Sequence, residues 1–280
     1  MTDFSKFLIA TDLDGTFFAD GAQLVPRNLE AIKRFCDGGG MFTLATGRVE
    51  LNLYCRFPNA AEVLSAPAVM CNGAYLFDMK TKTAYFEEFL PEAIAREILV
   101  FAKENFPDVS FRVGAPRTLR IENANAPFIS KDILTYVEGS VHVAPCESWR
   151  MDDWYKIVFR ADAERNAEVR RLLEKRFAGV LSVTPSHPTI LEVQLPHTNK
   201  ASGIEKLRHF LGDHRRTIIT CGDFENDIPM HRAADVATCP ANALPEVKAL
   251  CHHVLCSNNE GVIADVIEAI EDGRITPKTV

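Results

Sequence analysis

The sequence has no apolar run near the roughly 18 continuous residues that a membrane-spanning helix requires. Its first apolar stretch, Phe7 to Thr11, is stopped by Asp12, too soon for the core of a secretory signal. It has no surplus of positive charge either. Lys and Arg total 31 against 38 Asp and Glu, a formal net charge of −7. Such a chain has no general attraction for nucleic acid or an anionic membrane, so neither is an expected partner. An anionic ligand would need a local positive site. None of the eight cysteines sits in a Cys-x-x-Cys pair, and several lie inside apolar runs. Free thiols in a reducing cytoplasm are therefore expected. Cys251 and Cys256 lie near His252 and His253, but no second ligand pair accompanies them, so zinc is not expected. There is no Gly-x-x-x-x-Gly-Lys-Ser/Thr, and Gly38-Gly39-Gly40 precedes a strand instead of following one, which excludes a P-loop kinase. No internal repeat points to a solenoid.

What is present is an ordinary globular composition, 47% hydrophobic and 25% charged over 280 residues. At about 150 residues per domain, two domains are expected. Short apolar runs alternate with amphipathic stretches at both ends of the chain, which predicts βαβ units and a mostly parallel sheet. Phe7 to Thr11, Met41 to Ala45, Ala68 to Cys71, Thr217 to Cys221 and Val236 to Thr238 read as strands. Pro26 to Cys36, Lys200 to Leu211 and Gly261 to Ile270 read as helices. The middle lacks this rhythm. A hairpin around Asp78 to Thr83, a helix opened by Pro91, another over Glu164 to Phe177 and several strands predict an α+β unit.

Four polar stations stand where predicted strands end or a helix begins. In an open parallel sheet those strand ends share one edge, where ligands bind. The first is Asp12-Leu13-Asp14-Gly15-Thr16. Two acids closing an apolar strand are costly unless compensated, as a divalent cation would do; a plain Asx turn is the alternative. The second is Thr46-Gly47-Arg48, suited to a phosphate oxygen or simply a helix N-cap. The third is Lys200, a point charge for a phosphoryl group or a solvated lysine. The fourth is Gly222-Asp223-Phe224-Glu225-Asn226-Asp227, with a metal-ligating Asp223, an Asp227 that orients the surrounding shell and a phosphate-binding Asn226, or else a capped helix start.

Taken together and in this order, the stations resemble motifs one to four of the haloacid dehalogenase superfamily. The insertion between the second and third resembles the α+β cap of its Cof-type branch, subclass IIB, and Cys71-Asn72-Gly73-Ala74 is similar to that branch's Asn-Gly-Ala segment. The family often carries Gly-Asn-Ala after the fourth motif; this chain has Cys239-Pro240-Ala241-Asn242-Ala243. The resemblance implies a Rossmann-like, doubly wound α/β core of residues 1–74 and 188–280, with a cap of residues 75–187 that closes over the site. It implies a Mg²⁺-dependent phosphomonoesterase for small phosphorylated metabolites, sugar phosphates foremost. Asp12 would be the nucleophile and Asp14 the general acid and base. Mg²⁺ would be held by Asp12, the Asp14 carbonyl and Asp223. Leu13 and Gly47 backbone N–H groups, Thr46, Lys200 and Asn226 would hold phosphate. Arg48 and Asn72 are candidate substrate contacts, as are Arg112, Arg117, Arg120, His187 and the Trp149–Trp154 segment of the cap. A phosphomutase of the same superfamily, a receiver-like signalling module and a non-catalytic sugar-phosphate sensor are the competing readings. A receiver needs no large insertion, and a sensor would be expected to lack one of Asp12, Asp14, Lys200 or Asp223. The oligomeric state is not legible.

Overall fold

Phe7–Thr11 is an inner strand of a five-stranded parallel sheet in the computed structural model, which describes residues 2–126 and 139–278. Its neighbours are Thr217–Cys221 on one side and Met41–Leu44 on the other, in register Phe7 with Thr217 and Leu8 with Met41. Val236–Cys239 and His253–Val254 extend the sheet beyond Thr217–Cys221. Leu8 and Ala10 pack with Ile204 and Leu207 of helix Lys200–Leu211 and with Met230 of helix Ile228–Ala233. Phe7 and Ile9, which the pleat turns to the other face, are just as buried. Helices cover both faces, and that is why this strand reads as an unbroken apolar run instead of an alternating one. Pro26–Asp37 and Val262–Glu271 pack against each other.

The chain divides into two compact units. The first takes residues up to Arg48, Arg56–Phe86 and the chain from Asn199 onward; the second takes Val49–Cys55 and Glu87–Thr198. These limits differ from the changeovers at 74/75 and 187/188 that the sequence suggested. The hairpin Tyr75–Asp78 and Thr83–Tyr85 stays with the first unit because Tyr75–Asp78 pairs antiparallel with Ala68–Met70. A single parallel bridge, Ala45 to Val69, joins Ala68–Met70 to the end of the Met41–Leu44 strand. Ile190–Gln194 goes with the second unit because it pairs with Lys156–Arg160.

The second unit is a six-stranded sheet in the order Val141–Val143, Thr118–Ile121, Ser110–Ala115, Lys156–Arg160, Ile190–Gln194, Ser182–His187. Its pairs are antiparallel except the first. Helices Glu92–Asn105 and Ala163–Arg176 pack Ile98, Val169 and Leu173 onto Val113, Ile157 and Val193. Core residues alternate along the inner strands, Ile157 with Phe159 and Leu191 with Val193, as in a sheet whose apolar face meets helices. Residues 127–138 of the expected cap lie outside the described residues.

One close approach in the first unit matters for the site. Gly203 lies against Ala68–Met70 and the turn after it: a Cβ there would stand 2.2 Å from Val69 Cγ1 and 2.7 Å from the Gly73 Cα. Gly73 itself has a φ of 98° and a Cβ on it would meet the Asn199 carbonyl oxygen at 2.2 Å. The helix that begins with Lys200 is therefore seated at a separation only glycines allow. Gly203→Ala is expected to lower the unfolding free energy by about 2 kcal/mol in a urea titration, the usual scale of overpacking.

Candidate active site

The carboxyl ends of the inner strands carry the site. Phe7–Thr11 leads into Asp12, whose amide N–H donates to the Cys221 carbonyl at 2.8 Å. The chain then turns sharply: Gly15 has a φ of 76°, and the Phe17 N–H reaches back to the Asp12 carbonyl at 3.3 Å. A side chain on Gly15 is excluded twice, by that φ and by space, since its Cβ would stand 2.5 Å from Asp223 Oδ2. Thr16 Oγ1 donates to Asp223 Oδ1 at 2.6 Å, tying the first turn to the fourth station.

Lys200 is the first residue of its helix, placed by an Asn199–Ser202 capping box. It is fully buried, with 0% exposure. Its Nζ donates to Asp12 Oδ1 at 2.5 Å and to Asp227 Oδ1 at 2.6 Å. Asp227 Oδ2 accepts the backbone N–H groups of Asp223 at 2.9 Å and Phe224 at 3.0 Å. Both oxygens of Asp227 are thus occupied by the protein. Asp12 Oδ2 and Asp223 Oδ2, by contrast, accept no hydrogen bond among the described residues.

Electrostatics follows from this arrangement. Burial pushes Asp12 well above the usual carboxylate range; Lys200 pulls it back, and Asp227, Asp223 and Asp14 add to the rise. Burial, then the neighbouring Asp227 charge, pushes Asp223 up to about 7 against the pull of the Thr16 hydroxyl. Burial works against the Lys200 ammonium, but Asp12 and Asp227 together outweigh it and hold its pKa above the ordinary value. Asp12, Asp223 and Asp227 each offer a carboxylate oxygen, and the three lie within 4.8 Å of one another. Three carboxylates face one ammonium, so the fully ionised cluster carries two uncompensated negative charges. A hard divalent cation fits that donor set in charge and in ligand type, with Asp12 Oδ2 and Asp223 Oδ2 as the open oxygens.

Asp14 faces a different setting. Its side chain is half-exposed, and Arg48 grips it with two parallel bonds, Nε to Oδ2 and Nη2 to Oδ1, both 2.6 Å. Leu13 between the two acids is fully buried. Thr46 is also buried; its hydroxyl accepts the Arg48 N–H at 3.2 Å, across Gly47, and makes no hydrogen bond to the carboxylate cluster. Its carbonyl accepts the Asn72 N–H at 2.9 Å. Asn72 sits in the left-handed region at φ 53°, and its Oδ1 accepts from Asn226 Nδ2 at 3.3 Å. The structure therefore brings Asp12, Lys200, Asp223 and Asp227 into one cluster. Beside it stand two pairs, Asp14 with Arg48 and Asn72 with Asn226.

Some supports were not foreseen. Asn242 Nδ2 donates to the Gly15 carbonyl at 2.8 Å, and the Leu244 N–H donates to the Asp223 carbonyl at 3.0 Å. The segment that departs from Gly-Asn-Ala still keeps its Asn in a bracing position, and that Asn was the available signal. Several second-unit candidates serve that unit's own fold. Trp149 and Trp154 are core residues whose indole N–H groups donate to the Ala144 and Arg150 carbonyls. Arg120 grips Asp153 at 2.5 and 2.6 Å. Arg117 lies at φ 54° in an exposed turn, and His187 Nδ1 is 2.9 Å from Thr189 Oγ1. Arg112 lies on the Ser110–Ala115 strand, half-buried.

Known proteins resemble the whole chain. It is 24% identical over 272 residues to the 5-amino-6-(5-phospho-D-ribitylamino)uracil phosphatase YitU of Bacillus subtilis, with 92% of this chain and 95% of that protein covered. It is 23% identical over 287 residues to the pyridoxal phosphate phosphatase YbhA of Escherichia coli, with 93% and 97% covered. The solved subclass IIB sugar phosphatase BT4131 shares the fold at a TM-score of 0.79 and 19% identity, over 96% of this chain and 100% of that one. The haloacid dehalogenase-like hydrolase family matches residues 9–267, and so the chain belongs to that family, as one of its phosphatases.

Proposed function

We propose that the protein is a Mg²⁺-dependent phosphomonoesterase that works through an aspartyl-phosphate on Asp12. Its substrates would be small phosphorylated metabolites, with sugar phosphates the leading class. The observation that carries this reading is the cluster in which Lys200 holds one oxygen of Asp12 at 2.5 Å while the other stays open, and in which Asp12 and Asp223 offer carboxylate oxygens within 4.8 Å of each other. The substrate class is supported by relatives named for a phosphoribityl compound, for pyridoxal phosphate and for sugars.

In the first step a carboxylate oxygen of Asp12 bonds to phosphorus, and the bond from phosphorus to the ester oxygen breaks. The Asp14 carboxyl gives its proton to the departing alkoxide. In the second step the Asp14 carboxylate takes a proton from water. The resulting hydroxide bonds to phosphorus, and the bond to Asp12 breaks, releasing inorganic phosphate. Asp14 must leave the Arg48 guanidinium to do this, because that grip occupies both of its carboxylate oxygens. Lys200 pulls the pKa of Asp12 down against its burial and offsets charge on the phosphoryl oxygens, while Asn226, Thr46 and the Leu13 and Gly47 N–H groups hold those oxygens. When bound, Mg²⁺ supplies neutralisation of the two anions that must meet at Asp12. Asp12, the Asp14 carbonyl and Asp223 are the groups that would hold it.

The direct test is a phosphate-release screen over sugar phosphates, alditol phosphates, pyridoxal phosphate and nucleotides, with and without Mg²⁺. Accumulating inorganic phosphate is expected; isomerised substrate without phosphate release would mark a mutase instead. Asp12→Asn should reduce turnover by at least about a thousandfold while circular dichroism and thermal unfolding still report a folded protein. Chelation with EDTA should stop turnover, and added Mg²⁺ should restore it. Asp223→Ala should raise the Mg²⁺ concentration needed for half-activation by at least about tenfold; an unchanged Mg²⁺ titration would remove Asp223 from the cation site.

A further inference from the structure

His231 lies in helix Ile228–Ala233 and is 3% exposed. The reaction above makes no use of it. A buried histidine next to apolar Met230 reads in sequence as core filling, but both of its ring nitrogens are engaged. Nδ1 lies 2.9 Å from Thr220 Oγ1, and Nε2 lies 3.4 Å from the Gly222 carbonyl oxygen. A carbonyl only accepts, so Nε2 carries the hydrogen. Nδ1 of the neutral ring then accepts from the Thr220 hydroxyl. Burial, which lowers the imidazole pKa, favours this neutral form. Thr220 is itself anchored: its carbonyl accepts from Thr238 Oγ1 of the neighbouring strand at 2.8 Å.

The end of this relay is the Gly222–Asp223 peptide. The Gly222 C=O and the Asp223 N–H belong to one planar unit. The N–H donates to Asp227 Oδ2 at 2.9 Å. The peptide is thus held from both edges, by Asp227 on the amide side and by His231 on the carbonyl side. Only glycine allows so close an approach of this peptide to Asp227, since a Cβ on Gly222 would lie 2.4 Å from Asp227 Cγ. Beyond the peptide, Asp223 Oδ1 is tied to Thr16 at 2.6 Å. If the plane rotated, either that bond or the aim of the free Oδ2 would be lost. At 3.4 Å the imidazole contact is the longest of the three holds, so its influence falls on fine aim more than on folding.

We propose that His231 is a positioning residue: through Thr220 and the Gly222 carbonyl it fixes the peptide that aims Asp223 at its cation. This rests on the reading of Asp223 as a cation ligand. The departure from core filling is testable because filling needs only volume, whereas positioning needs the donor.

The experiment is Mg²⁺ binding to the metal-free protein by titration calorimetry, alongside thermal unfolding of the same metal-free samples. His231→Leu keeps an apolar side chain there and removes the donor. It should weaken Mg²⁺ binding about tenfold with little change in metal-free unfolding temperature. His231→Gln, which restores a donor, should recover binding to within about threefold of the parent, and Thr220→Val, which leaves the ring but not its support, should cost about threefold. Wild-type Mg²⁺ affinity in His231→Leu overturns the inference, as does equal loss in the Gln and Leu variants. If the Leu variant does not fold, the Gln and Val variants decide. Asp223→Ala separates the two levels: if it still binds Mg²⁺ normally, the cation reading falls, and if it loses binding while His231→Leu keeps it, only the role of His231 falls.

Discussion

A lysine ammonium with no access to water is the constraint around which the first unit is arranged. Taking such a charge out of solvent costs several kcal/mol unless partners of opposite sign replace the water. Lys200 adds a second penalty, because it is the first residue of its helix and so sits at the positive end of the helix dipole. One carboxylate would offset part of this; the structure supplies two, Asp12 and Asp227, on the same Nζ. Those partners lie 188 and 27 residues away in sequence. Only a fold that brings the ends of separate strands to one sheet edge can close that triangle. The site and the sheet order are therefore one requirement seen at two scales.

The close approaches in the first unit serve the same triangle. Gly203 and Gly73 let the Lys200 helix settle against Val69 and the turn after it. Gly15 and Gly222 let the first and fourth stations pass within contact of Asp223 and Asp227. Each of these positions lacks a side chain because a carboxylate, a carbonyl or a neighbouring backbone already occupies the space. Threonine hydroxyls and backbone N–H groups then fix the direction of each acid. The result is a cluster in which Asp227 is fully spent on the protein while Asp12 and Asp223 each keep one oxygen unspent.

The strands and the stations at their ends were legible because burial on both faces writes an unbroken apolar run, and a carboxylate closing such a run is conspicuous. Thr217–Cys221 followed by Gly222-Asp223 is the clearest instance. Lys200 was legible only through its order among the other stations, since a lone lysine at a helix start reads as a surface residue. The division of the chain was harder. Tyr75–Asp78 looks like any hairpin strand, and nothing in its residues tells that its partner is Ala68–Met70 and not a strand of the second unit. Ile190–Gln194 has the same ambiguity. The Arg48–Asp14 grip was not legible either, because long-range pairing of exposed charges leaves no periodic trace. Trp149 and Trp154 stood among the candidate substrate contacts, yet their indole N–H groups are consumed by nearby carbonyls, as buried tryptophans require.

The charge balance orders the events at the site. The chain carries a formal −7, of which the cluster of Asp12, Asp223, Asp227 and Lys200 concentrates a local excess of two negative charges when ionised. A phosphate ester brings about two more near neutral pH. Burial, with the neighbouring carboxylates adding to it, raises the pKa of Asp12 and of Asp223, so each holds a proton more readily than an ordinary carboxylate. On the proposed mechanism a proton on Asp12 would remove the nucleophile and a proton on Asp223 would block its open oxygen. A divalent cation held by Asp12 and Asp223 would resolve both at once, because it would displace the protons and supply the positive charge an anionic substrate needs. On the proposed mechanism the cation would therefore bind with or before the phosphate ester, and this acidic protein would acquire its anion site in the loaded state.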